Sequence, residues 1–469
     1  MFASADTMNQ RLAAFVDNSR GVELPKDVVQ EAKRSLLNVL GASAGASSHP
    51  AIRILRATAT PPRPGTPIAR VLWTHDQFVP ETAAFVNAAM MHVLDFDDTY
   101  RSTYCHPGAP VAAAALAVAD AFGATGMEFL TALVVGIEVQ LAVSEALFPS
   151  HYLRGFHITA TTAGVGAAAA SAVLLRAERD VIVHALGLAM TSSAGLIESL
   201  GTMGNAYHVG SATRIGVEAA RLAAGGYQSV ATLFEGDKGM LRAMSNEPPE
   251  RATAVFESLG RVWRILQTSY KRFPTETITQ APLEAILNVR RRLAPKQRAT
   301  LTAIVLLAKP IVAEVVEQRR RKFGPRPRSE LEAKFDIRYC MAAAWVAGEW
   351  TSAQLAPEAI ADSRIGAVRD VITVLAHPDW TGNQVKCEFS FSDGTKVVEY
   401  VEAFVGSADN PMTDADLEAK LAESADPGWR QSSRYGETVA AVWRLNELTT
   451  ISSLIGLMSE SNTVPEGST

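Results

Sequence analysis

The chain of 469 residues reads as a mostly α protein. A large all-helical domain built from both chain ends is expected to carry a smaller inserted α+β lid domain. Three observations predict this. Up to about residue 265, Ala- and Leu-rich segments follow one another, separated by Gly, Pro or His, and no convincing apolar/polar alternation interrupts them. Near Val262 the texture changes to β-branched runs and a hairpin turn signal. Past residue 405 the helical pattern returns. The expected division is therefore 1–265 with 406–469 for the helical domain, and 266–405 for the lid. A chain of this length also exceeds one simple core.

The helices expected in the first part are Val28–Ala44, Thr82–Leu94, Ala109–Phe122, Gly126–Leu147, Ile158–Ala177, Ile182–Ser192 and Ser211–Ala224. Ile158–Leu175 carries no charge, but Ala, Gly, Thr and Ser dominate it. Membrane-spanning helices use larger apolar side chains, so this segment is expected at the centre of a bundle, where small residues let backbones approach. Gly164–Ala169 imitates a dinucleotide fingerprint. No apolar strand precedes it, and His184 rather than an acid stands twenty residues on, so helix packing is the expectation.

Strands are expected at Leu301–Leu307, which ends before Pro310, and at Val368–Leu375. Gln384–Phe391 and Thr395–Val401 flank the turn Ser392-Asp393-Gly394. Helix resumes after Pro411, with Thr413 or Asp414 as N-cap. Val439–Leu457 gives another helix, packed back on the first domain. The last dozen residues are polar and expected to be disordered.

Hydrophobic content of 48% and charged content of 20% are ordinary for a soluble globular enzyme. A net charge of -5 argues against nucleic acid or an anionic membrane as partner. Cys105, Cys340 and Cys387 show no paired spacing, which fits a reducing compartment and argues against a cysteine-based zinc site. Asp6 falls where a signal peptide would need its apolar core, so a cytoplasmic location is expected.

The chemistry concentrates in His92–Gly108, HVLDFDDTYRSTYCHPG, between apolar runs at Ala83–Leu94 and Val111–Val118. Polar side chains wedged between buried helices must be hydrogen-bonded or functional. Asp95, Asp98 and Thr99 are expected on one helical face. Pro107-Gly108 places His106 on a turn at the mouth of the next helix. An acid, a hydroxyl and a histidine near helix ends suit proton transfer.

Competing readings are bland or weak. His92, Asp95, Asp98 and His106 form a mixed donor set that suits zinc or iron, but their spacing matches no compact metal motif, and no metal is expected. Cys105 and His106 are chain neighbours, which point apart, so no thiol–imidazole pair is expected. The basic run Arg319–Lys322 with Arg326 and Arg328 reads as a solvated loop. Lys271 and Arg272, in Ser269–Pro274, precede a proline turn at the domain junction and suit carboxylate binding.

Together these stretches resemble the MmgE/PrpD family, which includes 2-methylcitrate dehydratases, cis-aconitate decarboxylases and iminodisuccinate epimerases. The marks are LDFDDT at Leu94–Thr99, HPG at His106–Gly108, GFH at Gly155–His157, YKRFP at Tyr270–Pro274 and AKFDIRYC at Ala333–Cys340. The SDGT hairpin and NPMTDADLEAK at Asn410–Lys420 complete a set that runs in family order. The resemblance implies a helical domain and a lid with an active site between them, homodimers, and catalysis with no metal or organic cofactor. It maps the site onto Asp95, Thr99, His106, His157, Lys271 and Tyr339; His157 and Tyr339 rest on the resemblance alone. Two departures stand out. Asn205, three before His208, occupies a position where many relatives carry lysine, and Thr279-Gln280 stand where relatives often have histidine. Asn205 and His208, with Lys271 and Arg272, are expected to bind substrate in a pocket less cationic than in tricarboxylate-processing members.

The chemistry implied is proton transfer at a carbon next to a carboxylate, which needs a base on the proton and stabilisation of enolate-like charge. His106 suits the base or acid. Asp95 and Thr99 would orient it or bind substrate, Lys271 would hold a carboxylate, and Tyr339 would donate a proton or hydrogen bond. His157 would be a second acid or a carboxylate binder. The expected function is a cofactor-independent, dehydratase-like lyase acting on a small di- or tricarboxylic acid. The alternatives are an epimerase or decarboxylase on a related acid, and a non-catalytic carboxylate-binding protein.

Overall fold

The structure, a computed structural model, describes residues 6–459, so positions 460–469 of the polar tail lie outside the described residues. It is mostly α and separates into two compact units: residues 1–269 with 413–469, and residues 270–412.

The first unit is built on the helices Lys26–Ala44, Pro80–His92, Gly108–Phe122, Gly126–Leu147, Ile158–Leu174, Arg179–Thr191 and Gly204–Ala224. Ile158–Leu174 is buried along its whole length and packs on both Gly126–Leu147 and Gly204–Ala224. Its composition explains this. A Cβ built on Gly136 would lie 2.8 Å from the Gly166 carbonyl oxygen, and one on Gly166 would lie 2.8 Å from that of Gly136. The two helices cross backbone to backbone, and the glycine run is a packing surface. Gly126–Leu147 is the described helix long and apolar enough to cross a membrane, yet 89% of its most apolar window is buried in the fold.

Three elements differ from expectation. Gly204–Ala224 begins at Gly204 rather than Ser211, because the polar residues of its first turns interrupt the apolar period without interrupting the helix. Val439–Leu457 is not one helix. Ser433–Trp443 and Ser452–Ser459 are separated by a short 3-10 turn and an extended stretch, where Leu448 O accepts from Gly126 N at 2.8 Å and Ile451 N donates to Ala124 O at 3.0 Å. Backbone partners outside the segment thus replace the helical ones. In the second unit, Val368 lies inside the helix Ser363–Asp370, and the strand starts only at Ile372. Asp362 caps that helix, and Arg369 in its last turn binds Asp336.

Near the C-terminus Thr413 forms a capping box with Asp416, and the helix Asp414–Ser424 lies on Lys26–Ala44. It carries a buried lysine. Lys420 Nζ donates to Asn38 Oδ1 at 2.7 Å and Phe96 O at 2.6 Å, and sits 3.6 Å from the Phe96 ring centroid. A cation from far along the chain thereby ties down the turn that carries Asp95 and Asp97. Lys420→Met strands both acceptors and is expected to lower stability by about 2–3 kcal/mol. Denaturant midpoints measure this; an unchanged midpoint would show that the turn is held by other contacts.

The second unit holds a four-stranded sheet in the order Ile372–Ala376, Leu301–Ala308, Val385–Phe391, Lys396–Val401. The first pair is parallel and the others antiparallel. Burial alternates along Val385–Phe391, and Gly394 takes the left-handed conformation at the hairpin turn (φ 84°). The helices Thr277–Arg292 and Ile337–Ala347 fill the core behind it. Arg319–Lys322 lies not in a loop but in the last turns of the helix Pro310–Phe323, where cations favour the dipole. Arg319 is paired with Glu276 there, and Arg320 with Glu317 at 2.9 Å.

Candidate active site

The helix Pro80–His92 ends at His92, and Asp95 adopts a left-handed backbone (φ 53°), which short polar side chains tolerate better than most. Thr99–Tyr100 is a two-residue strand paired with Thr268–Ser269, and Tyr100 N donates to Cys105 O at 2.7 Å. This closes a loop that returns His106 onto Thr99. The expected helical face of Asp95, Asp98 and Thr99 therefore does not exist. A turn after His92 replaces the helix and sends neighbouring aspartates to different tasks.

Asp98 caps the next helix. Both its carboxylate oxygens accept from Gly108 N, at 3.0 and 3.1 Å. A Cβ at Gly108 would lie 2.6 Å from Asp98 Oδ1, so this contact fixes the glycine of the HPG motif.

Asp97, fully buried, lies between two imidazoles. His92 Nδ1 is 2.8 Å from Asp97 Oδ2, and His106 Nδ1 is 3.5 Å from Oδ1. Burial pushes this carboxyl up, but the electrostatic and hydrogen-bond interactions with the His92 and His106 imidazoles together outweigh it and hold Asp97 well below the usual carboxylate range. An ionised carboxylate only accepts, so His92 Nδ1 carries the proton. His92 Nε2 is then free to accept from Asn205 Nδ2, 3.2 Å away.

The same logic assigns His106. Its Nδ1 is 2.7 Å from Asp98 O and 3.3 Å from Thr99 Oγ1. A carbonyl oxygen only accepts, so Nδ1 donates and the lone pair of the neutral ring is on Nε2. The backbone is pinned as well, His106 N donating to Thr159 Oγ1 at 3.0 Å. The side chain keeps 13% exposure, enough for a ligand to reach.

His157 is the N-cap residue of Ile158–Leu174, and its backbone N donates to Gly195 O at 3.1 Å. Its ring centroid is 6.2 Å from that of His92 and 6.0 Å from that of His208. Burial, with the imidazoles of His92, His106 and His208, pushes His157 well below the ordinary histidine range, against a smaller opposing effect of Asp95. Burial and His92 lower His208 as well. Both rings are thus neutral at pH 7. His157 Nδ1 and Asn205 Oδ1 are buried without a hydrogen-bond partner. Such atoms cost about 1–3 kcal/mol each unless a ligand satisfies them.

Asp95, Thr99, His106, His157, Asn205 and His208 thus belong to the first unit, and Lys271, Arg272 and Tyr339 to the second. Lys271 is buried and Arg272 exposed, with the Arg272 guanidinium 5.6 Å from the Phe273 ring centroid. Gln280 clamps that turn. Its Oε1 accepts from Arg272 N at 3.1 Å and Phe273 N at 3.0 Å. Tyr339 donates its hydroxyl proton to Gln354 O at 2.6 Å within the core of its unit.

Sequence reasoning missed Asp97 and the role of His92. Asp97 was legible only as one acid in an FDD run, and helical spacing favoured its neighbours. A metal donor set exists, but not the expected one: ligand atoms of His92, Asp97 and His106 lie within 4.8 Å of one another. Asp98 is committed to Gly108, and both imidazoles already present N–H groups to oxygen atoms, so hydrogen bonds alone account for the grouping. Burial pushes the Cys105 thiol up to about 12, and its sulfur contacts Thr162 and Gln140, so it is no nucleophile.

Another buried histidine has a consequence for stability. His151 bonds Met244 O at 3.0 Å and Thr161 Oγ1 at 2.8 Å, and burial lowers it to about 4. Between its ordinary value near 6.5 and about 4 the unfolded chain binds the extra proton, so this group's contribution to stability falls as pH falls. Between pH 7 and 5 the loss is roughly 2 kcal/mol. His151→Gln should flatten that dependence in urea melts; an equally steep dependence in the variant would place its origin elsewhere.

The MmgE/PrpD N-terminal domain model matches residues 10–252 and the MmgE/PrpD C-terminal domain model residues 273–445. The chain is similar to human cis-aconitate decarboxylase, 26% identical over 89% of this chain and 88% of the relative. It is similar to the cis-aconitate decarboxylase of Aspergillus terreus, 25% identical over 93% of each. It is also similar to the 2-methylcitrate dehydratase of Cupriavidus necator, 28% identical over 80% of this chain and 78% of the relative.

Proposed function

The chain belongs to the MmgE/PrpD family, and on that premise we propose that it is a dehydratase-like lyase that removes a proton from a carbon next to a carboxylate, with His106 as the base. One observation carries this reading: the hydrogen bond from His106 Nδ1 to Asp98 O, which leaves a lone pair on Nε2 of a reachable imidazole. In the forward direction that lone pair takes the proton and leaves an enolate-like carbanion; its electron pair then forms the C=C bond as the C–O bond breaks, and the departing hydroxide takes up the proton held by His106 and leaves as water. Asp97, ionised at 3.5 Å from the other nitrogen, stabilises the imidazolium as it forms. Thr99 holds the ring's orientation, and the unpartnered His157 Nδ1 and Asn205 Oδ1 supply hydrogen bonds to substrate.

A second reading is supported by the relatives named cis-aconitate decarboxylase, which match most of their own length. There the same imidazolium would return a proton to the carbanion left when CO2 departs. The two are separated by incubating the protein with a panel of 2-hydroxy di- and tricarboxylic acids and with cis-aconitate. Alkene formation without CO2 is the expected result. CO2 release from the unsaturated acid would make the protein a decarboxylase, and binding with no turnover would overturn both readings.

A further inference from the structure

We propose that the cleft between the helices Ile158–Leu174, Arg179–Thr191 and Gly204–Ala224 receives an uncharged substituent of the substrate. The preferred substrate is then a dicarboxylic acid bearing a short alkyl or hydroxyalkyl group, rather than a tricarboxylic acid. The inference rests on the lyase reading for its reaction but on the cleft alone for its selectivity.

The cleft has a volume of about 260 Å³, and Ala160, Gly164, Ser193, His208, Ser211 and Ile215 are among the residues that line it. Its position follows from helical spacing. Ala160 and Gly164 stand three and seven residues after His157 on one helix, and Ser211 and Ile215 stand three and seven after His208 on another. Residues at these intervals share a face. His208 lines the cleft and its ring centroid is 6.0 Å from that of His157, so the cleft adjoins the histidine cluster and runs down the groove between the two helices. The chain after Arg179–Thr191 closes it, with Gly195 against Ala160 and His208.

Neither lysine nor arginine, aspartate nor glutamate lines it, and the ionisable side chains on its wall are His208 and Tyr207. His208, lowered by burial and by His92, brings no charge at pH 7. A carboxylate entering here would shed hydration and gain no cation. An alkyl chain would gain from burial against Ala160, Ala212 and Ile215. At about 30 Å³ per water the 260 Å³ equals roughly eight to nine waters, ample room for a short alkyl or hydroxyalkyl group. Beside His208, which lines the cleft, stand His157 and, three residues earlier on the same helix, Asn205; His157 Nδ1 and Asn205 Oδ1 are buried without partners. Both are uncharged, so they suit a hydroxyl or the neutral face of a substrate better than an extra anion.

The test compares 2-propylmalate with citrate, which share a malate core and differ in carrying propyl or carboxymethyl at one carbon. The wild type is expected to favour 2-propylmalate at least roughly tenfold in kcat/KM, and Ser211→Lys, which sets an ammonium in the cleft, to shift the ratio toward citrate by tenfold or more. Ser193→Lys serves where Ser211→Lys fails to melt as a folded protein. A wild type that prefers citrate, or a ratio unmoved by the folded lysine variant, overturns the inference. If neither acid is turned over, the lyase reading has failed on these substrates, and titration calorimetry reads the cleft directly. The same preference in Kd and the same reversal are expected; equal binding of the two acids, or binding of neither, overturns it.

Discussion

His106→Gln is expected to lower kcat by at least roughly two orders of magnitude, the usual scale for losing a general acid–base group. Glutamine can keep a hydrogen bond to Asp98 O, now held by the imidazole at 2.7 Å, so the loop should persist. What it cannot do is accept and return a proton near neutral pH. Thermal melting should stay close to wild type, and KM should change far less than kcat. Steady-state kinetics with a circular dichroism melt settle the point; near-wild-type turnover in a folded variant would make His106 a structural residue.

Asp97→Asn should come next in size, with kcat reduced roughly a hundredfold or more, by analogy with the buried aspartate that orients a catalytic histidine. Asp97 Oδ2 accepts from His92 Nδ1 at 2.8 Å, and Oδ1 lies 3.5 Å from His106 Nδ1. An amide offers one acceptor and one donor, so its NH2 must confront an N–H, and one ring will rotate or change tautomer. The charge that stabilises the imidazolium is lost too, so the acid limb of the rate profile should move to lower pH. A stability loss of about 1–3 kcal/mol is expected for the mismatched buried group. Unchanged kcat with an unmoved acid limb would remove Asp97 from the proton-transfer unit.

Much of this was legible in the sequence, for physical reasons that differ by element. Gly126–Leu147 could be read at both ends because its apolar run is long and Thr125 with Glu128 forms a capping box. The hairpin around Gly394 was legible because its turn demands a left-handed residue. The pairing inside LDFDDT was not. No glycine or proline marks the end of the helix at His92, and Asp95 makes the turn itself, so helical spacing chose Asp98 where the fold uses Asp97. The break within Val439–Leu457 was equally hidden, since its cause is the distant backbone of Ala124 and Gly126. Lys420 was visible as part of a motif, but its hold on Phe96 joins residues 324 apart in the chain.

The central claim is that His106 Nε2 carries a proton to or from carbon. It is tested most directly by proton NMR in D2O, following the C–H next to the carboxylate in whichever hydroxy acid of the panel is turned over. Wild-type protein should replace that hydrogen with deuterium at least as fast as it forms product, and His106→Gln should lose exchange and product formation together. A folded His106→Gln protein that still exchanges the hydrogen at the wild-type rate would contradict the account.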